Sequence, residues 1–156
     1  KMEDALGMAD VNVRALTGLV QMSLPYMVRG GRILMLASSA AFLPQPGFGI
    51  YAATKAYVLS YARSLRQELK KRDIWVTAVC PGPVKTEFFD HCGNGRALSA
   101  MKLFFMADPK KVVCHAWRDS MRKKAVSVYG LSMKSVRIAA KIIPHALILK
   151  GMGRIL

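Results

Sequence analysis

Tyr51 and Lys55 are the residues most able to do chemistry together, because a spacing of four sets two side chains side by side on one face of a helix. A free tyrosine titrates near ~10, too high for an efficient base at neutral pH, and a neighbouring ammonium favours the phenolate and lowers that value. Such a phenol can exchange a proton with a substrate oxygen. Taken alone, Tyr-x-x-x-Lys is a weak signal, since most pairs of this kind are ordinary helix surface. The context strengthens it. Ser38-Ser39 closes an apolar run thirteen residues before Tyr51, which sets a hydroxyl donor at the C-terminal edge of a sheet, where α/β proteins bind ligands. Phenol, amine and hydroxyl would then face one crevice.

Other reactive types make a weaker case. His91-Cys92 and Cys114-His115 are adjacent pairs, which rarely converge on one ion, and no Cys-x-x-Cys spacing supports them, so no metal site is expected. Gly47-Phe48-Gly49-Ile50-Tyr51-Ala52 formally matches a Gly-x-Gly-x-x-Ala phosphate fingerprint. It follows a proline-containing loop rather than a strand end and reads as coincidence. Gly93-Asn94-Gly95 has no better claim.

The elements that must hold these groups follow from hydrophobic periodicity. Apolar residues from about Glu3 to Arg29 recur near helical spacing, and Gly30-Gly31 supplies a stop. Ile33 to Ala37 is an unbroken apolar run, the pattern of a parallel strand covered on both faces. Ser38 to Ile50, with Pro44, Pro46, Gly47 and Gly49, predicts a loop. A helix of roughly twenty residues follows from about Tyr51, with Leu59, Ala62, Leu65, Arg66 and Leu69 along one stripe and Lys70-Lys71-Arg72 at its end, where the dipole suits them. Ile74 to Val79 is a second apolar strand, stopped by Pro81-Gly82-Pro83, so the order strand, helix, strand predicts a parallel crossover.

Residues 87–106 lack a clear period and carry Phe88, Phe89, Phe104 and Phe105; the segment reads as a substrate lid. Asp108-Pro109 opens a helix to about Lys124, with aspartate as N-cap and proline at the first helical position. Ala125 to Tyr129 reads as a third strand. The tail, 132–156, is helical with a break at Pro144, and its basic residues keep every apolar run below the length of a membrane span. It reads either as a cap on the core, the preferred sense, or as a segment lying on a membrane surface. Three strands and about five helices make a small α/β layer within one domain, 1–156.

Composition bounds the rest. Of 156 residues, 53% are hydrophobic and 21% charged, a globular balance rather than a disordered one. Three scattered cysteines, Cys80, Cys92 and Cys114, form no disulfide framework and suit a reducing, cytoplasmic setting. Twenty-four Lys and Arg against nine Asp and Glu give a net charge of +15, which raises nucleic acid, acidic lipid or phosphorylated ligands as partners. No aromatic-interleaved basic motif accompanies the charge, so it reads as solvated helix faces and no nucleic-acid partner is expected.

These residues, in this order, resemble the short-chain dehydrogenase/reductase family. Gly31-Arg32-Ile33-Leu34-Met35-Leu36-Ala37-Ser38-Ser39 through Tyr51-Ala52-Ala53-Thr54-Lys55-Ala56 is similar to the family's active-site strand, loop and helix. Asn12 stands where the family carries the asparagine of its catalytic tetrad. Cys80-Pro81-Gly82-Pro83-Val84-Lys85-Thr86 resembles the segment that touches the nicotinamide end of the cofactor. The likeness covers roughly residues 10 to 90. It implies that Tyr51 is the general acid/base, that Lys55 lowers its pKa and bonds the nicotinamide ribose, and that Ser38, with Ser39 as fallback, polarises the substrate oxygen. It implies further that Asn12 seats a water in the proton relay, while Pro81, Gly82, Val84 and Thr86 contact the cofactor, Val84 and Thr86 positioning its carboxamide.

The implied activity is NAD- or NADP-dependent hydride transfer between the nicotinamide and an alcohol or carbonyl substrate, by a homo-oligomer, expected as a dimer. The implied fold is a partial Rossmann-like doubly wound parallel sheet of about three strands with flanking helices. The chain carries no Thr-Gly-x-x-x-Gly-x-Gly loop and no Asn-Asn-Ala-Gly strand, so the N-terminal cofactor-binding half is expected to be missing and the chain alone inactive. The competing reading is an inert fragment or a self-associating interaction module.

Overall fold

The computed structural model describes residues 1–86 and 106–152, without the side chain of Met152. Among them are three parallel strands in the order β1 (Arg32–Leu36), β2 (Trp75–Val79) and β3 (Val126–Ser127). Arg32 pairs with Trp75 and Leu36 with Val79, while Ala78 and Val79 pair with Val126 and Ser127. This is the expected α/β architecture, an open parallel sheet with flanking helices.

The first helical stretch is less regular than its periodicity suggests. Helix α1 (Met2–Ala9) passes into a π-helical segment, Asp10–Ala15, before α2 (Leu16–Ser23) and a short 3-10 turn, Leu24–Tyr26. The wider winding falls on Asn12, and such bulges gather at functional sites. Gly30, at φ 81°, then turns the chain and donates its N–H to the carbonyl of Asp73.

Helix α3 (Gly49–Leu69) crosses from β1 to β2 and starts two residues before Tyr51. Val58, Leu59, Ala62, Leu65 and Leu69 are buried along it and pack on Met35, Val76 and Ala78. Arg66, on the same stripe, instead lays its guanidinium over the Trp75 ring and donates to the Val76 carbonyl. The interior is therefore a seam between α3 and one sheet face. Burying such aliphatic side chains contributes about 1.5–3 kcal/mol each.

Three expectations are corrected. Strand β1 is not covered on both faces: Met35 is buried, but Leu34 and Leu36 are exposed. Helix α4 (Pro109–Met121) packs on β2 and β3 and leaves that part of β1 open. The Ser38–Ile50 loop holds a 3-10 turn, Ser39–Phe42, because the Ser38 Oγ accepts the Ala40 N–H. The third strand is two residues long rather than five: its ladder with β2 is carried by the bonds from Ala78 N–H to Ala125 O and from Cys80 N–H to Ser127 O.

Asp108 caps α4 as expected, its Oδ1 accepting the Lys110 N–H at 2.7 Å. The helix stops at Met121, short of Lys124, with Lys123 in the left-handed region at φ 55°. Helices α5 (Leu131–Ile142) and α6 (His145–Met152) follow, broken at Pro144 as read from the sequence. The proposed lid, 87–106, with its four phenylalanines, His91-Cys92 and Gly93-Asn94-Gly95, lies outside the described residues apart from Met106. No helix among the described residues is long and apolar enough to cross a membrane.

Candidate active site

A cleft of about 1010 Å³ opens at the C-terminal ends of β1 and β2, and all eight residues expected to act line it: Asn12, Ser38, Tyr51, Lys55, Pro81, Gly82, Val84 and Thr86. The sheet explains this convergence. Backbone bonds from Ala37 N–H to Val79 O, 2.9 Å, and from Ser39 N–H to Pro81 O, 2.8 Å, lock the end of β1 to the Pro-Gly-Pro turn. The first turns of α3 then bring Tyr51 and Lys55 over the same edge.

Lys55 is held from two sides. Its Nζ donates to the Leu36 carbonyl at 3.2 Å and stands 5.7 Å from the centroid of the Tyr51 ring. Partial burial strips water from the ammonium and lowers its pKa below the usual lysine value. The amine is thus anchored on β1 while its charge faces the phenol, as the four-residue spacing predicts.

Asn12 reaches the site through a relay. Its Nδ2 donates to Thr54 Oγ1 at 3.1 Å, and the Thr54 hydroxyl donates to the Tyr51 carbonyl at 2.9 Å. The π-helical segment is thereby tied to the turn of α3 that carries the phenol. Buried Thr54 escaped the sequence reading, and its only signal was its place three residues after Tyr51.

Ser38 Oγ accepts the Ala40 N–H at 3.1 Å, which leaves its own proton for another acceptor. Ser39 also lines the cleft, so both hydroxyls remain within it. Thr86 is exposed at the rim, its Oγ1 donating to Val84 O at 3.4 Å, and Val84 bridges to Ala107 in a short parallel pairing. Lys85 is exposed.

The far wall was not legible in the sequence. Met133 and Val136 of α5 line the cleft, and Met133 lies against Gly82 so closely that a Cβ there would sit 2.6 Å from its sulfur. Cys80, fully buried beneath the turn, has its thiol pushed up to about 11, chiefly by burial, so it stays protonated at neutral pH. Gly47 lies between the 3-10 turn and α3, Gly49 opens α3, and neither follows a strand, which removes the structural context a phosphate fingerprint requires.

A model of the short chain dehydrogenase family matches residues 1–96. The chain is 40% identical over 76 residues to the uncharacterized oxidoreductase YghA of Escherichia coli, covering 49% of this chain and 26% of that protein. It is 48% identical over 60 residues to an NADPH-dependent aldehyde reductase-like chloroplastic protein of Arabidopsis thaliana, covering 38% of this chain and 22% of the relative. Among solved structures, a short-chain dehydrogenase from Sphingobium yanoikuyae in complex with NADPH superposes with TM-score 0.70 at 30% identity, over 79% of this chain and 47% of the other. One from Burkholderia cenocepacia in complex with NADP gives 0.79 at 19% identity, over 96% and 60%, a likeness of fold. The chain thus spans about a quarter of the length of these curated relatives and about half of the solved structures.

Proposed function

The chain belongs to the short-chain dehydrogenase family of oxidoreductases, and from that premise we propose that it carries the proton-transfer half of a nicotinamide-dependent alcohol/carbonyl oxidoreductase. The observation that supports this most is the single cleft shared by Tyr51, Lys55, Ser38 and Asn12. When bound, NAD or NADP supplies or accepts the hydride. The donor set suits the nicotinamide ribose end: an ammonium, the hydroxyl-bearing residues Ser38, Ser39, Tyr51 and Thr86, and a Pro-Gly-Pro turn.

In this reading Ser38 donates its hydroxyl proton to the substrate oxygen and orients it toward Tyr51. The phenol of Tyr51 gives a proton to that oxygen in reduction and takes it back in oxidation. Lys55 favours the phenolate electrostatically and offers its remaining protons to a ribose hydroxyl. Asn12, fixed through Thr54, holds the backbone around Tyr51 and seats a water that carries the proton outward. Pro81, Gly82, Val84 and Thr86 fix the carboxamide side. Substrates are small alcohols or carbonyl compounds that fit the cleft.

The test is Tyr51→Phe in the longest open reading frame containing this chain, assayed for NADH and NADPH oxidation with a panel of aldehydes and ketones. Loss of at least about a hundredfold in kcat is expected, the usual worth of a positioned acid or base. Undiminished turnover would mean the chemistry lies elsewhere. The 156-residue chain alone is expected to leave NADH and NADPH fluorescence unchanged, while the longer product shifts it.

A further inference from the structure

Helix α5 presents two faces of different character. Met133, Arg137, Ala139 and Ala140 are half-buried against the body of the protein. On the opposite side Leu131, Ile138 and Ile142 are 81%, 57% and 73% exposed. With 3.6 residues per turn these three fall within about 40° of one another, on the line where a surface helix ordinarily carries polar residues. Exposed Lys134 and Lys141 run along one flank of that stripe, and Leu147 and Lys150, both exposed, extend the same composition onto α6.

Along the two helices the charge has one sign. From Leu131 to Met152 the charged residues are Lys134, Arg137, Lys141 and Lys150, with no Asp or Glu. We propose that the outer face of α5 and α6 is a docking surface for an anionic lipid membrane, with Leu131, Ile138, Ile142 and Leu147 entering the headgroup boundary and Lys134, Lys141 and Lys150 meeting lipid phosphates. Amphipathic helices bind membranes by this combination of apolar area and basic flank, their lysine stems lying along the apolar stripe while the ammonium groups stay wet.

Two other occupants fit less well. A second copy would bring the same positive charge against itself, which disfavours a symmetric contact. A nucleic acid would meet aliphatic side chains at the centre of the face, and from 120 to 156 only Tyr129 and His145 carry rings on which a base could stack. The surface involves neither Tyr51 nor Lys55, so it stands or falls apart from the catalytic reading. Among the described residues no helix is long and apolar enough to cross a bilayer, and the proposed attachment is to its surface.

Co-sedimentation of the 156-residue chain with vesicles tests it, comparing phosphatidylcholine mixed with phosphatidylglycerol against phosphatidylcholine alone. The chain is expected to pellet with the mixed vesicles and to be released by salt. Lys134→Glu with Lys141→Glu is expected to weaken partitioning on the order of twentyfold, at about fivefold for each lysine charge lost. Ile138→Ser with Ile142→Ser is expected to weaken it as well, while far-UV circular dichroism stays unchanged in both double variants. Absence of binding, equal binding to both vesicle types, or binding that neither double variant alters would overturn the proposal. A polyanion retained through the lysines while the isoleucine variant binds vesicles normally would overturn it in favour of nucleic acid.

Discussion

Lys55 meets two opposed demands. Its ammonium must stay near Tyr51 and on the Leu36 carbonyl, yet its burial disfavours the charged form and lowers its pKa from the ordinary 10.5. Between the lowered folded value and 10.5 the unfolded chain binds this proton more readily than the native one, so in that window stability rises with pH. Below the window both states are charged and the fold carries the whole desolvation penalty. Lys55→Met keeps the stem and removes the charge. Urea midpoints measured across that window are expected to climb less steeply for the variant than for the unmodified chain, and parallel curves would mean the amine's burial is not felt. Tyr51, Lys55 and Ser38 could be found in the sequence because helical period and strand end fix their relation locally. The Asn12–Thr54 bond could not, because its partners are 42 residues apart and meet only once α3 lies beside the π-helical segment.

Between elements, a buried polar joint is formed by the carboxylate of Asp119 on α4. It accepts from the Ser127 hydroxyl of β3 at 2.9 Å, from Lys124 Nζ at 2.6 Å, and lies 3.1 Å from His115 Nε2. Burial pushes this carboxyl up, but the bonds from Lys124 and Ser127, with the charges of His115 and Lys124, outweigh it and hold its pKa below 3.8. A lowered carboxylate contributes stability above its unfolded pKa and loses it as pH falls through the folded one. Asp119→Ala is expected to cost roughly 2 kcal/mol at neutral pH by denaturant titration. Asp119→Asn is expected to shrink the drop in thermal midpoint between neutral and acid solution, and an unchanged drop would place the acid-sensitive joint elsewhere. Element types were legible from period and caps: the Asp108-Pro109 start and the Pro144 break both stand in the structure. Boundaries that depend on a neighbour were not. The extent of the third strand is set by its pairing with Ala78 to Cys80 of the chain ahead of the Pro-Gly-Pro turn, and the π-helical winding around Asn12 leaves no mark on apolar spacing.

For the molecule as a whole, β1 lies at one end of the sheet among the described residues, with Leu34 38% and Leu36 60% exposed. Apolar strand edges pair with other chains unless charge or bulk prevents it. The 156-residue chain is therefore expected to sediment as a species larger than a monomer, through this edge or through the exposed faces of α1 to α3. Leu34→Lys is expected to shift the distribution toward the monomer if the edge is responsible. A chain that sediments as a monomer at every concentration would contradict the expectation. The inner side of α5 ties tail and cleft together, and the contact between Gly82 and Met133 bears on how this fold can drift over generations. A bulkier residue at position 82 requires the Met133 side chain to swing aside or to shorten, so among descendants of this sequence the two positions are expected to change as a couple, and the outline of the cleft is inherited through the tail as much as through the turn.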